Sequence, residues 1–264
     1  MTASLIALVS DFGRNDWYVG VMKGVVLTLN PAARIVDLTH SVPAHDAPAC
    51  SFALLATRTY LPAGAVVAAV VDPGVGGSRR VLAARSAGRF FLAPDNGVLT
   101  EVLEADGCER MVSVENRDLF LKEVSRTFHG RDIFAPVAAR LSLGMDIGRL
   151  GPETADYMKL ELPAALRGPG SLAVTVRWVD SFGNLITGVT GEMLAGAIAE
   201  WGAAVVDVGT AAGIPIVESY QSVAAGDALA LLGSSDRLEI SVREGSAAAR
   251  LGADVGSVVV LRKT

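Results

Sequence analysis

Cysteine is nearly missing from this chain. Only Cys50 and Cys108 occur, far apart and without CxxC spacing, which excludes a disulfide framework and a thiolate metal site and leaves both as small packed residues. Long apolar runs are missing as well: no uncharged stretch reaches the roughly 18 residues that a membrane span needs. The N-terminus has no basic leader region or cleavage site and enters a strand-like pattern at once, so the expected location is the cytoplasm. Clustered positive charge is absent too. The 23 Lys and Arg residues are spread along a chain of net charge −5, which leaves little attraction for nucleic acid or anionic lipid and points to a small-molecule ligand. There is no internal repeat, no low-complexity segment, and no HxH, DxH or HExxH spacing of the kind that marks metal sites.

What the chain does have is a 51% apolar content over 264 residues, ample for one large core or two modest ones. It also has a conspicuous stretch, Val70-Val71-Asp72-Pro73-Gly74-Val75-Gly76-Gly77-Ser78-Arg79-Arg80, where an apolar run ends on an acid and becomes a glycine-rich loop. This is a strand delivering a carboxylate to its carboxyl end, where ligands of open α/β sheets collect. Taken alone, an Asp-Pro-Gly turn is equally a solvated hairpin. Three other segments, however, repeat the pattern. Ser4 to Ser10 is an apolar run ending in Asp11-Phe12-Gly13; a strand from Arg89 to Ala93 ends in Pro94-Asp95-Asn96-Gly97; and Arg126-Thr-Phe-His129-Gly-Arg-Asp132 precedes an apolar helix over 133–143.

Between these loops the spacing predicts helices over 16–29 and 47–60, a short strand over 34–37, and a hairpin across Ala87-Gly88. A short helix over 97–104 would turn its N-terminal amides toward the same cavity. Strand, helix, strand, helix, strand implies an α/β N-terminal domain over 1–160 with a mostly parallel, helix-covered sheet. Residues 161–170 lose periodicity and hold two prolines and two glycines, as a linker does. Beyond them, 171–264 breaks into short β-branched segments at 172–179, 185–187, 203–208, 228–232, 238–242 and 257–261, the pattern of a smaller β-barrel domain.

Asp11, Asp72, Asp95, Asn96 and His129 thus converge on one expected cleft, although any one of them alone reads as a helix cap or loop acid and only the recurrence of the pattern argues for function. Two chemistries fit the set. One is a divalent metal site for phosphate-ester hydrolysis, which the missing His spacings disfavour. The other is a metal-free site in which Asp72 and His129 orient or deprotonate a water and Arg79 stabilises hydroxide character. In the barrel half, Asp180-Ser-Phe182-Gly-Asn184 sets an aromatic two residues from an amide. A flat heterocycle can stack on Phe182 while Asn184 reads its edge, unless Phe182 is simply barrel core. The Gly233-Ser234-Ser235-Asp236 segment reads as a hairpin turn.

With these motifs in view, the chain resembles the S-adenosylmethionine hydroxide adenosyltransferase family over nearly its whole length. The likeness rests on Ser10-Asp-Phe-Gly13, Asp72-Pro-Gly-Val-Gly with Arg79, Ala93-Pro-Asp-Asn-Gly97, Thr127-Phe-His-Gly-Arg-Asp132 and Asp180 to Asn184. The resemblance implies hydrolysis of S-adenosyl-L-methionine to adenosine and methionine, no cofactor or metal, and a homotrimer with active sites between the N-terminal domain of one subunit and the barrel of the next. It implies a water-activating set of Asp72, Arg79 and His129, with Arg80 as the competing arginine, and a ribose-holding Asp11. Phe182 and Asn184 fall on the adenine turn, Asp180 and Ser234 near the methionine moiety, and Asp95, Asn96 and Phe128 among the substrate contacts. His45 stands where the fluorinating relatives carry a ribose-side tryptophan. The halogenating relatives also have tyrosines where Asp72 and His129 stand, and the fluorinating branch a serine at Gly130. Alternatives that remain are a halide-using adenosyltransferase, a metal phosphohydrolase, and a non-catalytic adenosine or S-adenosylmethionine binder.

Overall fold

The computed structural model describes residues 5–264, and the chain divides into two compact units, Met1–Glu161 and Leu162–Thr264. Ser4, where the first strand is expected to begin, lies outside the described residues. Among the described residues no helix is long and apolar enough to cross a membrane.

The first unit is built on six strands: β1 (Leu5–Ser10), β2 (Arg34–Thr39), β3 (Val66–Val70), β4 (Val81–Ser86), β5 (Arg89–Pro94) and β6 (Arg110–Ser113), in the order β2-β1-β3-β5-β4-β6. Every residue of β3 is buried, as its unbroken Val-Val-Ala-Ala-Val run demands of a central strand covered on both faces. Helix α1 (Tyr18–Leu29) buries Met22 and Val26, one turn apart, against Ile6, Leu8 and Val70 of the sheet core. Helix α2 (Ala47–Thr57) starts where the Asp46 side chain accepts the Ala49 N–H, with Pro48 in its first turn, and passes into a 3₁₀ turn over Arg58–Tyr60. Helix α3 (Thr100–Asp106) begins three residues later than expected. Helix α4 (Ala135–Ser142) is preceded by a π turn over Gly130–Phe134.

The sheet is mixed, so the expectation of a mostly parallel one is not confirmed. β2, β1, β3 and β5 run parallel, whereas β4 is antiparallel to both β5 and β6. The reason is local. Ala87 and Gly88 both take positive φ (43° and 71°), forming the two-residue turn that matches strand twist, so β4 returns directly as β5 without a crossover helix. The short β6, which the sequence pattern did not suggest, then adds to the free edge of β4.

The second unit is a nearly closed antiparallel sheet of β7 (Leu166–Gly168), β8 (Ser171–Val179), β9 (Leu185–Thr190), β10 (Ala204–Val208), β11 (Ala211–Pro215), β12 (Ala228–Leu232), β13 (Arg237–Val242) and β14 (Val258–Lys263). Its path runs β11-β10-β14-β8-β9-β13-β12, with β7 paired to β8, so that part of the expected linker is itself a strand. A single bridge between Ile216 and Ala230 joins the two ends of the path. Leu172, Val206, Leu238, Ile240, Val259 and Leu261 fill the interior. Two helices also escaped the sequence reading: α5 (Gly191–Trp201), capped by the Thr190 hydroxyl accepting the Met193 N–H, and α6 (Ala247–Leu251).

Candidate active site

In the first unit a cavity of about 330 Å³ opens at the carboxyl ends of β1 and β3. Asp11, Phe12, Asp16, Tyr18, His45, Asp72, Phe128 and His129 are among the residues lining it. Two loops must lie against one another to make its floor, and Gly76 is what permits this. It takes φ +76°, and a side chain there would run into the Arg126 carbonyl, so the Asp72 loop can pack directly on the loop that carries His129.

Arg79 ties those loops together. Its Nε donates to both carboxylate oxygens of Asp72 (2.9 and 3.0 Å), and its Nη2 donates to Asp72 Oδ2 and to His129 Nδ1, the latter at 2.7 Å. The side chains of Asp72 and Arg79 are 4% and 13% exposed, so solvent does little to weaken this fork. Arg80 turns elsewhere, donating to Asp95 Oδ2 through Nε and Nη2 and to the Asp156 carbonyl. Of the two arginines it is thus Arg79 that bonds Asp72 and His129.

A guanidinium has no lone pair to offer, so Nδ1 of His129 must be the accepting nitrogen and the ring is neutral with its proton on Nε2. Burial, and next the Arg79 charge, hold the His129 pKa below its ordinary value. The segment preceding it is pinned by Asp132, which is fully buried and accepts the Ser125 N–H at 2.7 Å and the Arg131 Nε–H at 2.5 Å. Phe12, Tyr18 and Phe128 pack edge-on and tilted with centroids 5.1–5.9 Å apart, giving the cavity an aromatic wall.

Asp11 is fixed by the His45 N–H, which donates to its Oδ2 at 2.9 Å; His45 itself takes φ +67° and leaves its ring 75% exposed at the mouth. Asp95 and Asn96 do not line this cavity. Asp95 accepts from Arg80 and from the Met158 N–H, and the Asn96 amide donates to the Val71 carbonyl, so both brace the backbone around the Asp72 loop. Asp16 and Tyr18 also line the cavity, which the sequence pattern does not reveal because it reads Asp16 as the start of a helix that begins at Tyr18.

The second unit has a cavity of about 580 Å³ lined by Phe182, Asn184, Tyr220, Gln221, Val242, Arg243, Glu244 and Gly245. The Asp180 carboxylate builds the turn beneath it, Oδ1 accepting the Phe182 and Asn184 N–H groups and Oδ2 the Asn184 side-chain amide, each at 2.9 Å. Phe182 is thereby held out at 76% exposure rather than packed in the barrel core. Tyr220 donates to Glu239 Oε1 at 2.5 Å, and burial together with that carboxylate pushes its pKa up to about 12. Tyr220 and the 243–245 segment come from remote parts of the chain with no motif of their own, although Glu244 carries the strained φ of +58° often found at functional rims. Ser234 lies in the turn between β12 and β13, at the other end of β9 from Phe182, roughly 15–20 Å away along the strands. Among the described residues no three His, Cys, Asp or Glu side chains gather as a metal site requires.

Comparison with known proteins places this geometry in context. Residues 6–151 match the model for the SAM hydroxide adenosyltransferase N-terminal domain, and residues 174–260 the model for its C-terminal domain. The chain is 38% identical over 265 aligned positions to a Thermus thermophilus protein named (R)-S-adenosyl-L-methionine hydrolase, covering 97% of this chain and 98% of that one. A fluorinase from an Actinoplanes species is 27% identical over 213 positions, covering 70% and 71% of the two chains. A crystal structure described as an uncharacterized conserved protein from Thermotoga maritima superposes with a TM-score of 0.93 at 34% identity, covering 98% of this chain and all of that one.

Proposed function

This chain belongs to the SAM hydroxide adenosyltransferase family, and from that premise we propose that it hydrolyses S-adenosyl-L-methionine to adenosine and L-methionine. The observation that carries the reading is the Asp72–Arg79–His129 constellation at the base of a cavity that also presents Asp11. The reaction asks little of the protein. Water attacks the ribose C5′ in line with the C–S bond, and the bonding pair leaves with sulfur as a neutral thioether, so the leaving group needs no proton. An oriented water and an acceptor for its proton are sufficient.

Asp72 is that acceptor. Arg79 fixes the orientation of the carboxylate and offsets its charge as hydroxide character develops. His129 holds the other side of the guanidinium and, being neutral, adds no second cation there. Asp11 takes the ribose hydroxyls, Phe182 stacks on the adenine, and Asn184 completes that turn. Ser234, one strand length from Phe182, suits an extended ligand whose methionine end lies far from its base.

A halide-using reaction is the second reading, favoured by the fluorinase relative. The Asp72 carboxylate can take a proton from water, a role that an incoming halide does not need, which supports water instead. The complete site is proposed to combine the first unit of one subunit with the barrel of another in a cytoplasmic homotrimer that needs no metal; the division of candidate ligand contacts between the units supports a site that draws on both. Incubation with S-adenosyl-L-methionine, with and without chelator and chloride, tests the proposal by product mass. Adenosine and methionine, insensitive to chelator, are expected; faster formation of chlorodeoxyadenosine would overturn it.

A further inference from the structure

Beside the cavity, and not lining it, runs a polar chain that the reaction does not use, exposed at its Lys23–Asp37 end and buried at His40 and Ser10. Lys23 Nζ donates to Asp37 Oδ2 at 2.6 Å, and Asp37 Oδ1 lies 3.1 Å from His40 Nε2 without hydrogen-bond alignment. His40 Nδ1 then meets Ser10 Oγ at 2.8 Å, and Ser10 Oγ accepts the Phe12 N–H at 3.3 Å. Serine, histidine and aspartate in series resemble a nucleophile relay. The Ser10 side chain, however, belongs to a residue only 1% exposed, and no substrate atom can reach it. Burying a hydroxyl and an imidazole costs free energy unless they are hydrogen-bonded; here each partners the other, and their bond ties the end of β1 to the loop at His40.

The chemistry of the partners assigns the protons. The Asp37 carboxylate can only accept, so the His40 proton belongs on Nε2, toward Asp37; Nδ1 is then the acceptor of the Ser10 hydroxyl proton, while Ser10 Oγ accepts the Phe12 N–H. The backbone continues the clasp: the Gly13 N–H donates to the His40 carbonyl at 2.8 Å and the Val42 N–H to the Ser10 carbonyl at 3.4 Å. Five residues on from His40, the His45 N–H reaches Asp11 Oδ2. The loop over 40–45 is therefore anchored to the Ser10–Gly13 turn at both ends, and Asp11 sits between the anchors. We infer that His40, acting through Ser10, is a positioning residue that sets the orientation of the Asp11 carboxylate, and so governs recognition of the ligand's ribose hydroxyls. This rests on the proposed role of Asp11 toward ribose.

Discrimination between adenosine and 2′,3′-dideoxyadenosine reads that orientation directly. Calorimetric titration of the full-length protein with each nucleoside, alongside thermal unfolding, gives the affinity ratio and confirms that each variant is folded. The unmodified protein should favour adenosine, and His40→Ala should lower the ratio by about tenfold, the loss expected when a hydrogen bond to a charged group is misaligned. His40→Asn, whose amide oxygen can replace Nδ1 as the acceptor from Ser10, should restore most of it. Ser10→Ala, which removes one atom of the link, should reproduce the loss if His40→Ala does not fold. In steady-state kinetics KM for S-adenosyl-L-methionine should rise more than kcat falls. An unchanged ratio in folded His40→Ala or Ser10→Ala overturns this inference alone. Equal affinities for the two nucleosides in the unmodified protein overturn the ribose reading and this inference together.

Discussion

His129 meets Arg79 through an unprotonated nitrogen, so protonating the ring would set two cations face to face and break the fork that holds Asp72. Its pKa is held below the ordinary 6.5 by burial and by Arg79, and the sign follows. The folded state takes up this proton less readily than the unfolded chain, so stability from this group is intact above pH 6.5 and declines as pH falls below it. Turnover should show an acid limb in the same region, below pH 6.5, and His129→Ala should remove that limb from the pH–rate profile. Asp72→Asn should lower turnover by about 10²–10⁴, and His129→Ala, which frees the guanidinium but leaves the base, by less, with substrate affinity nearly intact in single-turnover assays. At the other cavity, Phe182→Ala should weaken adenosine binding by roughly 1–3 kcal/mol by calorimetry, because the exposed ring supplies stacking area and no core packing.

At the level of elements, the strand-end acids were legible because a buried strand must be apolar and its first polar residue marks where it leaves the core; Asp11 and Asp72 both follow that rule. The mixed order of the sheet was not legible, since the hairpin at Ala87-Gly88 was visible but its position between β3 and β6 depends on pairings between distant segments. Helix α5 was legible in principle: Leu194, Ala197 and Trp201 recur on one face behind the Thr190 cap, a signal obscured by its alanines and glycines. The loop–loop contact at Gly76 yields a prediction of this scale. Gly76→Ala would meet the Arg126 carbonyl in a left-handed backbone and should force the Asp72 and His129 loops apart. A drop in turnover with a lowered Tm is expected, whereas unchanged kinetics would mean that the loops do not need this contact. Asp132 supports the same loops from beneath. Its pKa stays below 3.8 although burial opposes this, because the Arg131 and Ser125 hydrogen bonds outweigh it. Its contribution to stability is therefore present above pH 3.8 and lost as acid takes the pH through the lowered folded value.

Across the whole molecule, the candidate ligand contacts fall into two groups carried by two units, and the proposed assembly joins them between subunits. Mixing an Asp72→Ala chain with a Phe182→Ala chain should then restore part of the activity, since some sites would contain neither change; a fully active monomer in sedimentation would remove the idea. The barrel has a further property of its own. Among the described residues one isolated bridge, Ile216 with Ala230, joins β11 and β12, with the Val217 N–H donating to the Ala230 carbonyl, and the segment that leads from this seam to β12 carries Tyr220. A sheet stitched at one point breathes there first. Deuterium uptake should therefore be fastest along this seam and slow markedly once a nucleoside rests against Tyr220, so that the barrel's weakest closure reports occupancy of the pocket it borders.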